Sequence, residues 1–393
     1  MPLKYRNRMS HRAPHPLLPG FCRERLSRVD AIHAGNPYPN RVLCRVTSCL
    51  TPIILLFAIL IPFSELHAQS GGFSGNFTRM GFGPRGMAMG NAMGTVTSEG
   101  IYAHYNPALA SFVNNTQIEL GTAIMAFDRS LHNLSATFSL PPSAGLNIGL
   151  INANVDNIDG RNTSGYHTDY LSTNEFQFFT AFGIALSERI RIGASVKLHL
   201  ANYHNSLKNA SGAGFDLGMI AEPLANWRIG LSVQDLLSEY SWNTVPIYGT
   251  QGGRNRSDAF PVRLRLGSSY YLAKYHLLIS SEMEWQIQRS EYVEQSAGND
   301  ILPPQNRSSA TTLTGSSTLL RFGAAWKAHE RFTIRAGWEV TDLEYLSETH
   351  KISTGFSIHL PYDALKPSVD YAYVHEAGGI PGMHVMALRL TLQ

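Results

Sequence analysis

Cysteine and long apolar runs are both scarce in this sequence. The three cysteines, Cys22, Cys44 and Cys49, all precede residue 69, so the rest of the chain offers no disulfide, thiolate metal ligand or cysteine nucleophile. The one continuously apolar stretch, Ile53 to Phe63, spans 11 residues, whereas a transmembrane helix needs about 20. These absences give no support to a bundle of membrane-spanning helices or a disulfide-built domain.

The short apolar stretch has the surroundings of an export signal. Arg41 and Arg45 precede it, and the small residue Ala68 follows it within five residues. A basic flank, a short apolar core and a small residue at the cleavage position are typical of a secretory signal peptide. We therefore predict cleavage before Gln69. The alternative is a buried core helix. No cysteine stands at a cleavage position, so a lipid anchor is not expected.

The residues upstream of this signal are rich in arginine and proline and have no periodic apolar pattern. We interpret them either as an untranslated extension, with the true start near Val42 or Leu43, or as a long disordered one. Residues 1–68 hold 9 of the 32 basic and 3 of the 29 acidic residues, which leaves 23 and 26 and a net charge of −3. This balance gives no indication of a nucleic-acid partner.

From Thr116 onward the chain alternates apolar and polar residues in runs of about ten, the length of a tilted membrane strand. In the run 330–341, for example, Phe332, Ile334 and Trp338 alternate with Thr333 and Arg335. We predict an all-β fold, a transmembrane antiparallel β-barrel over residues 116–393. The fourteen predicted strands are 116–127, 130–140, 144–155, 174–186, 189–201, 211–222, 227–236, 260–273, 275–288, 316–327, 330–341, 351–360, 367–376 and 383–392.

The lengths of the connections distinguish a membrane barrel from a soluble β-sandwich, which also alternates. All the long connections follow odd-numbered strands, and those after even-numbered strands are short, as at 141–143 and 187–188. Bacterial barrels have short periplasmic turns and long extracellular loops. The predicted long loops are 156–173, 237–259 and 289–315.

Four tryptophans also fit a membrane barrel. Trp227 and Trp326 stand at the ends of strands next to short turns, and Trp285 and Trp338 lie near the opposite ends, all on the outward face. Tryptophan is enriched at the two surfaces of a bilayer.

The strongest candidates for a catalytic site are charged residues on predicted inward strand faces. Glu282 and Glu284 share one strand face about 6.5–7 Å apart, a separation that glycosidases use. Arginines on both neighbouring strands face the same pair, so a neutralising ladder across a polar lumen is the favoured interpretation. The predicted ladder consists of Arg263, Arg265, Glu282, Glu284, Arg321 and Arg335.

No other motif indicates an enzyme. Residues 81–86 match the dinucleotide fingerprint GxGxxG, but no strand precedes them and the flanking pattern is not a βαβ unit, so we reject it. His199 and His204 fall on opposite faces of a regular strand and cannot share a metal there. We predict no catalytic residues, metal site or cofactor.

The segment before the barrel, residues 77–110, is rich in methionine and glycine and lacks alternation. It holds four of the nine methionines that follow residue 68. We predict that residues 69–115 form a hatch in the lumen, where inward glycines leave room for it. It is either a ligand-contacting hatch or a purely structural plug, since methionine suits both uses. The candidate binding residues are Met80, Met87, Met89, Met93, Asn106 and Pro107. The glycines are Gly149, Gly183, Gly193, Gly230, Gly267, Gly323, Gly337 and Gly355.

Two short motifs carry a family resemblance. The run Gly86 to Ala92 (GMAMGNA) and the turn Tyr105 to Ala108 (YNPA) resemble the N-terminal signature of PorV/PorQ proteins, within the wider FadL-like outer-membrane barrels. Acidic residues between the two motifs are reduced to Glu99, and the chain ends at Gln393 without a terminal aromatic; both depart from the usual pattern.

The resemblance implies a fourteen-stranded barrel with an N-terminal hatch and one of two roles. The first is type IX secretion or related cell-surface export, with secretion components or secreted cargo as partners. The alternative is passive transport of hydrophobic small molecules across the outer membrane. Either role makes outer-membrane lipid a partner. The sequence alone does not separate the two.

Overall fold

The structure is a computed structural model that describes residues 74–392 apart from 99, 101, 205–206, 244, 246–254, 296–307, 341–349, 363–364 and 377. The predicted signal peptide and the cleavage before Gln69 lie outside the described residues.

Sixteen β-strands account for most of the described chain. They are β1 (Gln117–Met125), β2 (Arg129–Leu140), β3 (Ala144–Arg161), β4 (His167–Ala185), β5 (Ile190–Asn202), β6 (Ala210–Leu224), β7 (Trp227–Leu236), β8 (Glu239–Asn243), β9 (Asn255–Ala259), β10 (Val262–Leu272), β11 (Leu277–Gln295), β12 (Ser308–His329), β13 (Phe332–Val340), β14 (His350–His359), β15 (Leu365–His375) and β16 (Met383–Leu392).

Fourteen of these strands close into an antiparallel barrel. Each pairs with its neighbour in sequence, β1 pairs with β16 to close the wall, and β7 pairs directly with β10. Strands β8 and β9 form a hairpin inserted between β7 and β10, with one pairing to β6 at Ser211 and Ser241. The prediction of a fourteen-stranded antiparallel barrel is confirmed.

The faces of the barrel are inverted relative to a soluble protein. Outward residues such as Leu120 and Val196 are 60% and 48% exposed, while inward polar residues such as Gln177, Lys197 and Asp370 are fully buried. Exposed apolar side chains around the wall and polar ones inside are the arrangement of a barrel in lipid.

The predicted long loops 156–173 and 289–315 are wrong in part, because strands occupy much of them. β3 continues to Arg161 and β4 begins at His167, and β11 and β12 reach Gln295 and Ser308. These extensions pair with each other beyond the ends of their outer neighbours. The apolar outward face ends earlier than the backbone pairing, so alternation underestimates the strand length. The third long loop, 237–259, contains the β8–β9 hairpin.

The connections that follow even-numbered predicted strands are short, as the sequence predicts. Turns after even-numbered predicted strands, such as 141–143 between β2 and β3, define one end of the barrel, called here the turn end. The hairpin and the strand extensions define the opposite end, called here the loop end.

Residues 74–113, called here the N-terminal segment, precede the barrel and contain little regular structure. They include one short helix, α1 (Gly83–Ala88), and two 3-10 turns, Asn76–Arg79 and Pro107–Phe112. Among the described residues no helix is both long and apolar enough to cross a membrane.

Candidate functional site

The end of the N-terminal segment lies against a wall lined by glycine. Pro107 occupies the first position of its 3-10 turn, where its fixed φ suits the geometry. The Asn106 side chain caps this turn by accepting the amide of Ala108 at 3.0 Å and donates to the carbonyl of Gly94 at 3.1 Å. A Cβ atom at Gly183 would lie 2.7 Å from the amide nitrogen of Ser111. The absence of a side chain there permits this close approach.

The middle of the N-terminal segment meets a second group of glycines. A Cβ atom at Gly323 would lie 2.6 Å from the Met89 carbonyl oxygen, and one at Gly337 would overlap the Gly90 backbone. Seven of the eight glycines expected to leave room face atoms of the segment; Gly149 instead faces the ring of Phe179. The seven are Gly183, Gly193, Gly230, Gly267, Gly323, Gly337 and Gly355.

The four candidate methionines form an apolar cluster inside the barrel. Met89 and Met93 are fully buried, Met87 is nearly so, and Met80 is partly exposed at the edge of the cluster. A recess of about 10 Å³ borders Met80 and Met87. It is also lined by Glu339, Lys351, Ser353, Val374, Glu376 and Met383.

An ion pair fixes α1 to the wall. Arg85 pairs with Glu119 of β1 and lies 3.4 Å from the carboxylate of Asp370 on β15, with all three side chains buried. The Tyr102 hydroxyl donates to Glu119 at 2.6 Å and accepts from Arg85 at 2.9 Å. Burial alone would lower the pKa of Arg85, but the carboxylate of Glu119 and its neighbours raise it above the ordinary value. The cluster of Arg85, Glu119 and Asp370, called here the Arg85 clamp, therefore keeps its charges.

Part of the predicted ladder is assembled in the lumen. Arg265 pairs with Glu282, and Arg321 pairs with Glu284 at 2.6 Å and with Glu339 at 2.6 Å. Glu282 also accepts the amide of Gly94 at 3.0 Å. The ladder thus holds the N-terminal segment as well as neutralising the wall.

The other two arginines of the predicted ladder have different partners. Arg263 lies 2.7 Å from Asp235 of β7. Arg335 donates to the hydroxyl of Ser357 at 2.7 Å.

A second charge cluster was missed by sequence reasoning. Lys197 of β5 lies 2.7 Å from Asp216 and 2.9 Å from Asp235, and Arg263 completes the set. Asp235 sits where the pairing of β6 and β7 shifts register, with φ +59°. Strict alternation does not predict that Asp235 lies beside Lys197. The alternation pattern does predict that Lys197 and Asp216 face inward.

Sequence reasoning also missed the aromatic residues of the segment. His104 stacks on Phe82 with ring centroids 5.2 Å apart and bonds the carbonyl of Thr78 at 3.2 Å. Burial, aided by the positive charges of Lys197, Arg263 and Arg265, holds the pKa of His104 well below its usual range. Burial raises the pKa of Tyr102 and Tyr105. These rings therefore stay neutral, and their only sequence signal was their place in the apolar segment.

A larger cavity of about 480 Å³ opens at the loop end, where β10 begins. It is lined by apolar residues, including Leu237, Val262 and Ile287, together with Phe260 of the hairpin connection and the acidic Glu239. Leu237 is 81% exposed and adopts φ +58°. Among the described residues, no group of three or more histidine, aspartate or glutamate side chains is placed to hold a metal ion.

These features define a class of protein, a closed fourteen-stranded antiparallel barrel with an apolar outer face and charged residues buried within. No protein-family model and no curated protein sequence matches the chain.

Solved structures with a similar fold include a hydrocarbon channel and a toluene transporter. The chain is similar to the CymD monoaromatic hydrocarbon channel, with TM-score 0.54, 14% identity and coverage of 82% of this chain and 99% of that one. It is also similar to the Pseudomonas putida toluene transporter TodX, with TM-score 0.51, 15% identity and coverage of 79% and 97%. A Pseudomonas aeruginosa FadL homologue gives TM-score 0.51, 11% identity and coverage of 79% and 96%.

Proposed function

We propose that this protein is an outer-membrane channel through which small hydrophobic molecules pass passively, and that residues 69–115 act as its hatch. The fold it shares with a hydrocarbon channel and a toluene transporter supports this proposal. The proposed cargo is an uncharged organic molecule small enough to enter the barrel. The apolar band around the wall supports contact with outer-membrane lipid.

The observation that carries the proposal is the methionine cluster at the recess. The charged ladder lines part of the inner wall, and an apolar molecule would find few partners there. Met80, Met87 and the neighbouring Met383 instead border the recess with flexible thioether side chains. Such side chains adapt to apolar ligands of different shapes.

Passage requires the hatch to move. The recess beside Met80 has a volume of about 10 Å³, roughly that of one water site. Met80 is half-buried, whereas Arg85 and Asn106 are both fully buried. The proposed movement therefore begins near Met80 and leaves Asn106 and Pro107 as the fixed turn.

The test is uptake of N-phenylnaphthylamine, a fluorescent apolar probe, by intact cells that produce variants at the recess. Met80→Glu should reduce the uptake rate, because it places a carboxylate at the entrance. Met80→Leu, the matched control, should retain it. Heat-dependent electrophoretic mobility reports whether each barrel has folded. Equal uptake by folded Met80→Glu and Met80→Leu would contradict the proposed route.

The secretion role of PorV/PorQ proteins is the second candidate. The motifs at 86–92 and 105–108 favour it, and the paired extensions of β3–β4 and β11–β12 offer surfaces beyond the barrel for cargo or machinery. Purification from native membranes distinguishes the two. Secretion components recovered with the barrel, together with no probe uptake, would favour the secretion role.

Export to the outer membrane by a cleaved signal peptide is part of the same proposal. N-terminal sequencing of the membrane-extracted protein should begin at Gln69. Recovery of a chain that still carries residues 1–60 would contradict it.

A further inference from the structure

The cavity at the loop end coincides with a change in how the wall is paired. β10 begins at Val262, opposite Ile287, and β11 continues past it to Gln295. On the other side, β6 passes from β7 to the β8–β9 hairpin. Ile287, 45% exposed, and Leu237, 81% exposed, both line the cavity. One side of the cavity is therefore an apolar surface continuous with the outside of the barrel.

The charge at this cavity is acidic. None of its lining residues is basic. Glu239 is exposed at the rim and makes no ion pair with any described residue. Asp235 also borders the cavity, but Lys197 and Arg263 already bind its carboxylate oxygens. An anionic headgroup would find no basic partner among these lining residues and would be repelled by Glu239.

Phe260 closes the inner side of the cavity. Its side chain is 3% exposed, and its ring lies 4.6 Å from that of His199 and 5.0 Å from that of Tyr240. The space beside Gly75, at the start of the N-terminal segment, is filled by the same ring. Phe260 therefore separates the cavity from the lumen.

Behind Phe260 lie polar groups whose hydrogen-bonding capacity is unused. Gln177 of β4 and His199 of β5 are cross-strand partners, and both are fully buried. Both polar atoms of the Gln177 amide and both ring nitrogens of His199 have no hydrogen-bond partner among the described residues. Buried polar groups left unpaired are costly, so this pair points to a guest that both donates and accepts.

We propose that the cavity and the Gln177–His199 pair bind an uncharged hydrophobic molecule that carries a hydroxyl group, such as a medium-chain alcohol or a phenol; this inference rests on the proposed function. The apolar part lies along Val262 and Ile287, and the hydroxyl group bonds Gln177 and His199 once the Phe260 ring has swung aside. A hydroxyl group suits this pair because it is both donor and acceptor. A carboxylate is repelled at Glu239, and an ammonium group has no acceptor for the amide NH₂ of Gln177.

The test measures protection of a single cysteine from a maleimide reagent. The full chain, with serine at the three native cysteine positions and Leu237→Cys at the cavity, is placed in phospholipid nanodiscs. The ligands are 1-decanol, decanoate and decylammonium, which share one chain length. At ten times its dissociation constant, 1-decanol should slow labelling about tenfold by simple site occupancy. Decanoate and decylammonium at the same concentration should leave the rate unchanged.

Leu224→Cys is the matched control, because Leu224 is 61% exposed and lies at the turn end, away from the cavity. Its labelling should not respond to any of the three ligands, which separates site occupancy from a general effect on the lipid. Protection of residue 237 by decanoate or decylammonium as strong as that by 1-decanol would overturn the proposal, as would no protection by 1-decanol.

Two further variants test the polar groups. Gln177→Leu in the Leu237→Cys background should abolish most of the protection by 1-decanol, and Glu239→Lys should make decanoate protective. Unchanged protection in a folded Gln177→Leu protein would overturn the assignment of the inner pair. The assay measures binding without transport. If 1-decanol protects residue 237 but the protein supports no uptake of the apolar probe, the proposed function is wrong and the binding site stands. If the probe is taken up but residue 237 is not protected, the binding site is wrong and the proposed function stands.

Discussion

Arg85→Met should release the middle of the N-terminal segment while leaving the barrel intact. The substitution removes the cation that Glu119 and Asp370 share in a buried site. Removing one partner of a buried pair costs about 3–5 kcal/mol, because the remaining charge stays buried; Arg389, which also lies near Asp370, favours the lower end of this range. The barrel strands pair with one another independently of Arg85, so the cost should fall on docking of the segment. At about 1.4 kcal/mol per tenfold change, the docking equilibrium should shift by roughly a hundredfold to several thousandfold.

Hydrogen exchange measures this shift directly. The amide of Gly94 donates to Glu282, and that of Gly90 donates to Ser353 and to the carbonyl of Met87 in α1. A helix as short as α1 is not stable once it leaves the wall, so the protection of both amides depends on docking of the segment. The exchange rates of these two amides should increase by the same factor as the docking equilibrium shifts, while amides in the β1–β2 ladder keep their rates. Glu119→Gln added to Arg85→Met should restore part of the protection. Unchanged exchange at Gly90 and Gly94 in Arg85→Met would refute the assignment of the clamp.

Three further predictions concern the lumen and the wall. The pKa of His104 is depressed in the folded protein. The contribution of its neutral ring to the free energy of unfolding should therefore be complete above about pH 6.5, the ordinary pKa of histidine, and should be lost as the pH falls below that value. Denaturant midpoints at about pH 7.5 and about pH 5 should therefore differ more for the wild type than for His104→Gln, and equal differences would contradict this. Gly183→Ala should destabilise the protein by about 1–3 kcal/mol through overpacking against the 3-10 turn. Gly267→Ala, where a Cβ atom would meet Thr95 at an ordinary 3.4 Å, should change the denaturant midpoint little, and similar losses for both would refute the close-approach argument. Val196→Arg, on the outward face near the middle of β5, should cost about 2–4 kcal/mol in lipid, against about 0–1 kcal/mol for Tyr275→Arg near the turn end; equal costs in reversible unfolding would contradict the placement of the membrane.

The strands could be predicted because their pattern follows from one physical rule. Lipid outside and polar groups inside impose alternation on every membrane-embedded residue, so each run of outward apolar residues marks a strand. The rule applies only within the bilayer. The extensions of β3, β4, β11 and β12 lie beyond the bilayer, where either strand face can be polar. The alternation pattern therefore predicted loops there.

The lumen could be predicted only in outline. Inward arginines and glutamates indicated a ladder, but their partners depend on depth and side-chain reach; Arg263 joins Asp235 across a bulge that breaks the alternation. Arg85 and His104 belong to an irregular segment with no period, so no pattern could assign their contacts. The inward glycines were informative because a missing side chain on a wall indicates that something approaches closely.

The central claim, passage of small hydrophobic molecules, is tested most directly by uptake into intact cells with and without the protein. Cells that produce it should take up N-phenylnaphthylamine faster than matched cells that lack it. Entry of nitrocefin, a charged, polar and larger probe, should stay the same, because a channel for small apolar molecules is not a general leak. An unchanged rate for N-phenylnaphthylamine, or an equal increase for both probes, would contradict the account.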